Sequence, residues 1–236
     1  MAHDATKPRP LRADARDNRR RLLDAARDVF IELGPGAPLE EIARRAGTGI
    51  ATLYRRFPDR RALIRDVVVD ALRRTTEEAR TAADEEPDPF GALARYMHRA
   101  IDVRTAAVIP ALLAEIPFDD EEIVAARAAG PSALDALVDA AHLAGTLRGD
   151  VTSGDIGMLI VRFSRPLQGG IPRQTNDRLS HRHLDVLLDG LRADARPAGP
   201  LTGPAMTLDD LSEYPHDPNP TDGPAIAESP AGSAGA

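Results

Sequence analysis

The chain has 236 residues, enough for one small and one medium domain around a hydrophobic core. It has no cysteine, which excludes a disulfide framework, a thiolate metal site and a cysteine nucleophile. No apolar run reaches the roughly 20 residues that a membrane-spanning helix needs, and the polar start is not a signal peptide, so a soluble cytoplasmic protein is expected.

The formal charge of -7 conceals an asymmetry. Residues 1–65 carry 15 Lys plus Arg against 9 Asp plus Glu, and the rest of the chain carries 15 against 28. A basic head on an acidic body implies that only the head approaches a polyanion.

Residues 1–13 hold Lys7, Arg9 and Arg12 among prolines and small residues without periodicity. They read as a flexible basic arm, either an ordinary disordered terminus or a minor-groove and phosphate contact. A first helix over residues 14–33 follows from Leu22, Ala25, Ala26, Val29, Phe30 and Leu33, which repeat at i, i+3, i+4, i+7, i+8 and i+11. Gly34-Pro35-Gly36 stops it. Pro38 suits the first turn of a second helix, with Leu39, Ile42, Ala43 and Ala46 pointing inward. Gly47 and Gly49 then allow a tight reversal, and residues 52–57 read as the second helix of a helix-turn-helix, ended by Pro58 and Asp59. Leu53 and Phe57 are four apart and can face inward. That leaves Thr52, Tyr54, Arg55 and Arg56 spread over the exposed surface, and these are groups suited to phosphates and base edges.

Asp59 can cap a fourth helix carrying Leu63, Ile64, Val67, Val68, Ala71 and Leu72, which should link head and body. Asp88-Pro89 combines a cap with a proline at the first helical position, opening a helix with Leu93, Tyr96, Met97, Ala100 and Ile101. A shorter piece over residues 107–115 ends before Pro117. Residues 121–147 read as helical, with Gly130-Pro131 forcing a kink or a break before Leu134, Leu137, Val138, Ala141 and His142. Thr152 and Asp155 form a capping box for a helix with Ile156, Leu159, Ile160 and Phe163 on one face, broadened by Met158 and Val161. A last helix over residues 176–193 places Leu184, Leu187, Leu188 and Leu191 at i, i+3, i+4 and i+7. Residues 196–236 have 8 prolines in 41 positions and should be a disordered tail. With no convincing strand, the class is all-α: a three-helix head and a helical body.

The run Ile42-Ala43-Arg44-Arg45-Ala46-Gly47 is followed by Thr52-Leu53-Tyr54-Arg55-Arg56-Phe57 and, after Pro58-Asp59-Arg60, by Ala62-Leu63. Together these closely resemble the DNA-binding region of TetR-family (AcrR-like) transcriptional regulators. The resemblance covers residues 18–68 and, more loosely, the helices to about 195; residues 144–152 and 184–192 resemble the end of the family's ligand-binding domain. Pro38 stands where the family often has Ser or Thr, Thr48 replaces a common apolar residue and Ala51 a common Gly.

The resemblance implies phosphate contacts by Tyr54 and Arg60, with Arg56 at the position of a frequent phosphate-contacting histidine. Ile50, Ala51, Thr52 and Arg55 become candidates for base edges, and Arg44, Arg45 and Arg61 cluster beside them. It divides the chain into a basic arm (1–13), a DNA-binding domain (14–62), a ligand-binding and dimerisation domain (63–195) and the tail. The implied function is a repressor that binds a palindromic operator in double-stranded DNA as a homodimer and is released by a small molecule. Its last two body helices would pair across a two-fold axis as a four-helix bundle, through Ile156, Leu159, Ile160, Leu184, Leu187, Leu188 and Leu191.

His98 and His142 sit among apolar neighbours. They are either polar anchors of a ligand pocket beside Met97, Ile101, Leu112 and Phe163, or part-buried histidines with no such role. His181, His183 and Asp185 suggest a metal site only weakly, because i and i+2 residues on a helix point about 200° apart; a solvated polar face is expected. Asp119, Asp120, Glu121 and Glu122 suit a helix N-terminus. No phosphate loop, nucleophile elbow or metal-ligand spacing is present, so no cofactor, metal or enzymatic activity is expected. The rival is a small helical enzyme or non-DNA binding module with an accidental helix-turn-helix likeness. It would need a convergent cluster of titratable groups that the sequence does not display.

Overall fold

The computed structural model describes residues 10–112, 115–116, 120–165, 171–194 and 201. Among these residues the chain forms nine helices: α1 (Pro10–Leu33), α2 (Leu39–Arg45), α3 (Ile50–Arg56), α4 (Arg60–Glu85), α5 (Pro89–Val103), α6 (Thr105–Leu112), α7 (Glu121–Leu143), α8 (Ser153–Ser164) and α9 (Arg173–Leu191). None is long and apolar enough to cross a membrane.

Four of the nine starts are set by side chains that take up orphan backbone N–H groups. The Asp59 carboxylate accepts from the Ala62 N–H at 2.8 Å to open α4, and Asp88 accepts from the Gly91 N–H at 3.0 Å to open α5. Asp120 accepts from the Glu122 and Ile123 N–H groups at the start of α7. In α8 the capping box closes in both directions: the Asp155 N–H donates to Thr152 Oγ1 at 3.3 Å, and the Thr152 N–H to Asp155 Oδ2 at 2.8 Å. The start of α2 has Pro38 and no side-chain cap.

Several boundaries differ from the sequence reading. Helix α1 begins at Pro10, so of the arm expected over residues 1–13 only 1–9 lie outside the described residues. Leu33, the last residue of α1, projects beyond the packed face and is 55% exposed. Helix α7 runs unbroken through Gly130 and Pro131. A proline removes one donor from the ladder, and the buried residues on either side, Ile123, Ala126, Leu134, Leu137, Val138 and Ala141, hold the helix in place. It ends at Leu143 rather than 147, because Gly145 turns into the left-handed region (φ 65°) and closes the helix. Helices α6 and α9 are displaced from their expected spans to Thr105–Leu112 and Arg173–Leu191. Asp119 lies outside the described residues, as does the proline-rich tail apart from Leu201, whose N–H donates to Asp150 Oδ2 at 3.0 Å.

Two apolar clusters organise the helices. One joins α1, α2 and α3 to the first turns of α4, where Leu63, Ile64, Val67 and Val68 are fully buried, and reaches Val108, Leu112 and Ile123 of the body. The other packs Ala79 and Ala82 of α4 against Leu93, Met97 and Ile101 of α5, Leu134 and Val138 of α7, Ile156 and Ile160 of α8, and Leu184, Leu188 and Leu191 of α9. Helix α4, 26 residues and so about 39 Å long at 1.5 Å per residue, therefore belongs to both. The domain boundary expected between 62 and 63 falls within its first turn.

Ion pairs fasten α1 along α4. Arg27, 5% exposed, donates to Asp24 at 3.1 Å and to Asp70 at 2.8 Å, and Arg74 reaches the same two carboxylates. Burial and the neighbouring Arg74 lower the Arg27 guanidinium from its usual range while the two aspartates pull it up, so its charge is kept by its partners. At the far end of the body, an antiparallel bridge between Leu147 and Arg192, with the Arg148 N–H donating to the Leu191 carbonyl and the Ala193 N–H to that of Thr146, pins the end of α9 to the turn after α7.

Because the Asp59 cap sits at the joint between α3 and α4, Asp59→Ala is expected to cost about 1 kcal/mol of folding free energy. The check is a lower urea midpoint with an unchanged slope.

Candidate nucleic-acid interface

Helix α3 is held by what it buries. Leu53 (0% exposed) and Phe57 (2%) enter the same cluster as Val29, Phe30 and Ile42. The turn leading to it needs a positive φ at Gly47 (67°), which a side chain would strain. The N–H groups of Gly47 and Thr48 donate to the Arg44 and Ala43 carbonyls and close α2. With its inner face fixed, α3 shows Ala51, Tyr54, Arg55 and Arg56 to solvent, while Ile50 and Thr52 are half-buried. Tyr54 is 49% exposed, with its ring on the surface rather than in the core. Arg55 Nη2 donates to Thr52 Oγ1 at 3.3 Å, so the two expected base-reading side chains form one polar unit.

The other arginines are less free than the sequence suggests. Arg44 donates to Glu41 through Nε (2.8 Å) and Nη2 (2.7 Å), and Arg45 donates to Glu41 (2.7 Å) and Glu32 (2.6 Å). Hydrogen bonds from Arg44 and then Arg45 hold the Glu41 carboxyl down at about 2, against an ordinary 4.5. Arg60 turns inward. Its Nη1 donates to the carbonyls of Pro35 (2.8 Å) and Ala37 (2.6 Å), clamping the turn between α1 and α2 to the start of α4. Arg61 donates to the Glu115 carbonyl. The signal for the Glu41 pairing was present in its i,i+3 and i,i+4 spacing to the arginines; nothing local in sequence indicates the Arg60 clamp.

The six residues expected around a ligand pocket are not gathered about one cavity. Met97 and Ile101 are in the body core, with Phe163 packed against its edge, whereas Leu112 lies in the head-side cluster. His142 bonds the Arg148 carbonyl through Nε2 at 3.0 Å, and His98 points to α9, where it meets His181 and Asp185. His181, His183 and Asp185 were all expected on a solvated face; His183 and Asp185 are exposed, and His181 is half-buried. An open cleft of about 290 Å³ lies instead between α4 and α7, lined by Arg73, Thr76, Glu77, Arg80, Ala125, Ala126 and Ala129. Five of the seven expected dimer residues, Ile156, Ile160, Leu184, Leu188 and Leu191, are buried in their own protomer; Leu159 and Leu187 are partly covered.

A buried helix pair presenting a short exposed helix of polar and cationic side chains defines a helix-turn-helix DNA-binding protein. Residues 22–67 match the model of the bacterial regulatory proteins of the tetR family, and residues 88–193 that of the SbtR-like transcriptional regulator C-terminal domain. Among solved structures, the TetR transcriptional regulator SCO0520 from Streptomyces coelicolor is 35% identical, covering 75% of this chain and 99% of that one with a TM-score of 0.57. A TetR transcription regulatory protein from Mycobacterium vanbaalenii is 36% identical, covering 78% and 99%, also at 0.57. The regulator LfrR from Mycobacterium smegmatis, solved with proflavine, is 24% identical over 73% and 96% at 0.50, a likeness of fold alone. The comparison with curated proteins found no match. The chain belongs to the TetR family of transcriptional regulators. It is a DNA-binding regulator and not an enzyme.

Two substitutions separate clamp from contact. Arg60→Ala is expected to lower the melting temperature of the protein, because two carbonyls lose their donor, whereas Tyr54→Phe should leave it unchanged and weaken binding to all DNA sequences alike. Glu41→Gln releases two arginines: DNA affinity should rise for any sequence, and the salt dependence should steepen by about 0.9 in logarithmic slope for each arginine that reaches a phosphate. Since the Glu41 value in the folded protein is depressed to about 2, the pairing is complete above about 4.5 and is lost only as pH falls through about 2. The contrast between wild type and Glu41→Gln should therefore be constant across neutral pH in a filter-binding titration.

Proposed function

We propose that this regulator is a repressor of the cytoplasm that binds a palindromic operator in double-stranded DNA as a homodimer and is released by a small-molecule effector. Residues 14–62 serve as the DNA-binding head and 63–195 as the effector and dimerisation body. The observation that carries the reading is α3, whose Leu53 and Phe57 are locked in the head core while Tyr54, Arg55 and Arg56 stand outside it. In this reading Thr52 and Arg55, with Ile50 and Ala51, meet base edges, and Tyr54 and Arg56 meet phosphates.

One such helix covers few base pairs. Specificity then calls for two heads about 34 to 36 Å apart, and α8 and α9 supply the surface for a second copy. Beyond the residues they give to their own core, they leave Met158 (37% exposed) and Val186 (68%) open beside the partly covered Leu159, Val161, Phe163 and Leu187. A symmetric partner covers such a stripe on both protomers at once. The effector would act at the packing of α5 on α8, in the cluster that holds Met97 and Ile101 with Phe163 against it, and shift the heads through the helices that pack there.

A gel shift with DNA from beside the protein's own gene tests the reading. Specific retention is expected, and Arg55→Ala should cost about 1 to 3 kcal/mol at one operator position; equal affinity for all single-base variants would remove Arg55 from the reading set. For the dimer, Leu188→Glu is uninformative, since Leu188 is 7% exposed within the protomer. Val186→Glu keeps the core intact. It should give monomers by light scattering, with unchanged helix content and operator binding lost; a dimer that still binds would refute the α8 and α9 interface.

A further inference from the structure

Helices α5 and α9 carry the same five-residue pattern, His98-Arg99-Ala100-Ile101-Asp102 and His181-Arg182-His183-Leu184-Asp185. In each, the aliphatic residue is buried (Ile101 5% exposed, Leu184 0%) and the His and Asp flank it at i and i+4. The helices meet so that each histidine bonds the other helix's aspartate. His181 Nε2 lies 2.9 Å from Asp102 Oδ1, and His98 Nε2 lies 3.1 Å from Asp185 Oδ1. Between the rings, the two Nδ1 atoms face each other at 2.7 Å. The ring centroids are 5.0 Å apart with planes only 15° from parallel, and that separation exceeds the Nδ1 distance by about the width of one ring. The rings therefore meet nitrogen to nitrogen, not face on face.

Proton counting follows from the partners. A carboxylate only accepts, so each Nε2 must carry a hydrogen. With both Nδ1 atoms bare, two lone pairs would confront each other; with both protonated, two N–H groups would. One proton shared between them satisfies all four groups and leaves the pair with a single positive charge beside two carboxylates. A metal ion in place of the proton is disfavoured by distance. Each nitrogen would sit about 2.0 to 2.1 Å from a zinc ion, which a 2.7 Å gap does not accommodate, and no group of three metal-ligating residues exists among the described residues.

We infer that His98 and His181 form a proton-dependent clasp between α5 and α9, closed when the pair holds one proton on its facing nitrogens and loosened when it holds none or two. The charged groups around it are Asp102 and Arg99 on α5, Asp185 on α9 and, through Arg99, Glu78 on α4. The pair formed by Arg104 and Asp177 lies one turn along α9 from His181. Histidine charge ordinarily changes between about pH 5 and 8, and a shared site titrates in two steps that belong to the pair. The attachment of α9 is thus greatest while the pair holds one proton and falls when a proton is lost or a second is gained.

The test uses the full chain. In nitrogen-15 NMR of histidine-labelled protein, both Nε2 atoms of the pair should be protonated near neutrality, with one proton averaged over the two Nδ1 atoms and two separated titration steps. His181→Gln should abolish the two-step behaviour of His98. The melting temperature of wild type minus that of His98→Gln, and likewise minus that of His181→Gln, should pass through a maximum with pH. A flat or monotonic difference, or independent single-step titration in wild type, would overturn the clasp. So would a zinc-induced rise in melting temperature that both single variants abolish, which would identify a metal site instead.

Discussion

Everything the head presents depends on the burial of Leu53 and Phe57. Helix α3 has only seven residues, too few to be stable alone, because nucleation is costly and isolated helices shorter than roughly 12 residues are marginal. Its conformation is set by two side chains lodged among Val29, Phe30 and Ile42. The orientation of every polar group on the outer face follows from that anchoring. The Arg60 clamp acts on the same unit from outside, fixing the turn between α1 and α2 through two carbonyls. The recognition surface is therefore rigid because of its hidden side, and the exposed residues are free to be chosen for chemistry rather than packing.

The second constraint is that α4 has no boundary at which the head could detach. Its first turns are core residues of the head, and its later turns belong to the body. Arg27 of α1 bonds Asp70 in its middle, and Arg74 reaches back to Asp24 of α1. Such a helix transmits displacement rather than absorbing it, since a packed interior does not deform continuously. A change among the body helices that moved the later turns of α4 would tilt the head with it, without requiring a hinge between the two.

Periodicity made most of this legible. The inward residues of α2, α3, α4 and α5 follow 3.6-residue spacing, and the caps at Asp59, Asp88 and Thr152 are where Asp, Thr and Pro in the right order place them. What escaped was tertiary. Pro131 reads as a breaker locally, yet α7 continues because residues on both sides of it are held by the core. The leucines of α9 read as an interface because a stripe of apolar residues does not declare whether it covers its own chain or another; the structure shows that Leu184, Leu188 and Leu191 do the former. Arg44 and Arg45 read as DNA contacts by position, and only the geometry reveals how fully Glu41 and Glu32 engage them. The expected pocket residues divide between two cores for the same reason. Apolar neighbours along a helix do not reveal which of two cores they enter.

Polar contacts between distant helices are the least legible of all, and here they converge on α9. Arg173 at its start reaches Asp28 of α1 at 2.5 Å, Asp177 meets the buried Arg104 that ends α5 in a left-handed conformation, and His181 and Asp185 meet α5 one and two turns further on. Half-exposed ion pairs of this kind contribute little net stability. They are directional, so an α9 shifted along its axis would lose them even where its leucines stayed buried. The apolar stripe holds α9 against the body without fixing where along its axis it rests; the row of charges fixes it. Because the first link of that row is on α1, the register of α9 is also a statement about the head. A shift of α9 by one turn would have to surrender Asp28 or carry α1 along. A displacement of α9 would therefore reach α1 through Arg173 and Asp28 without passing through α4.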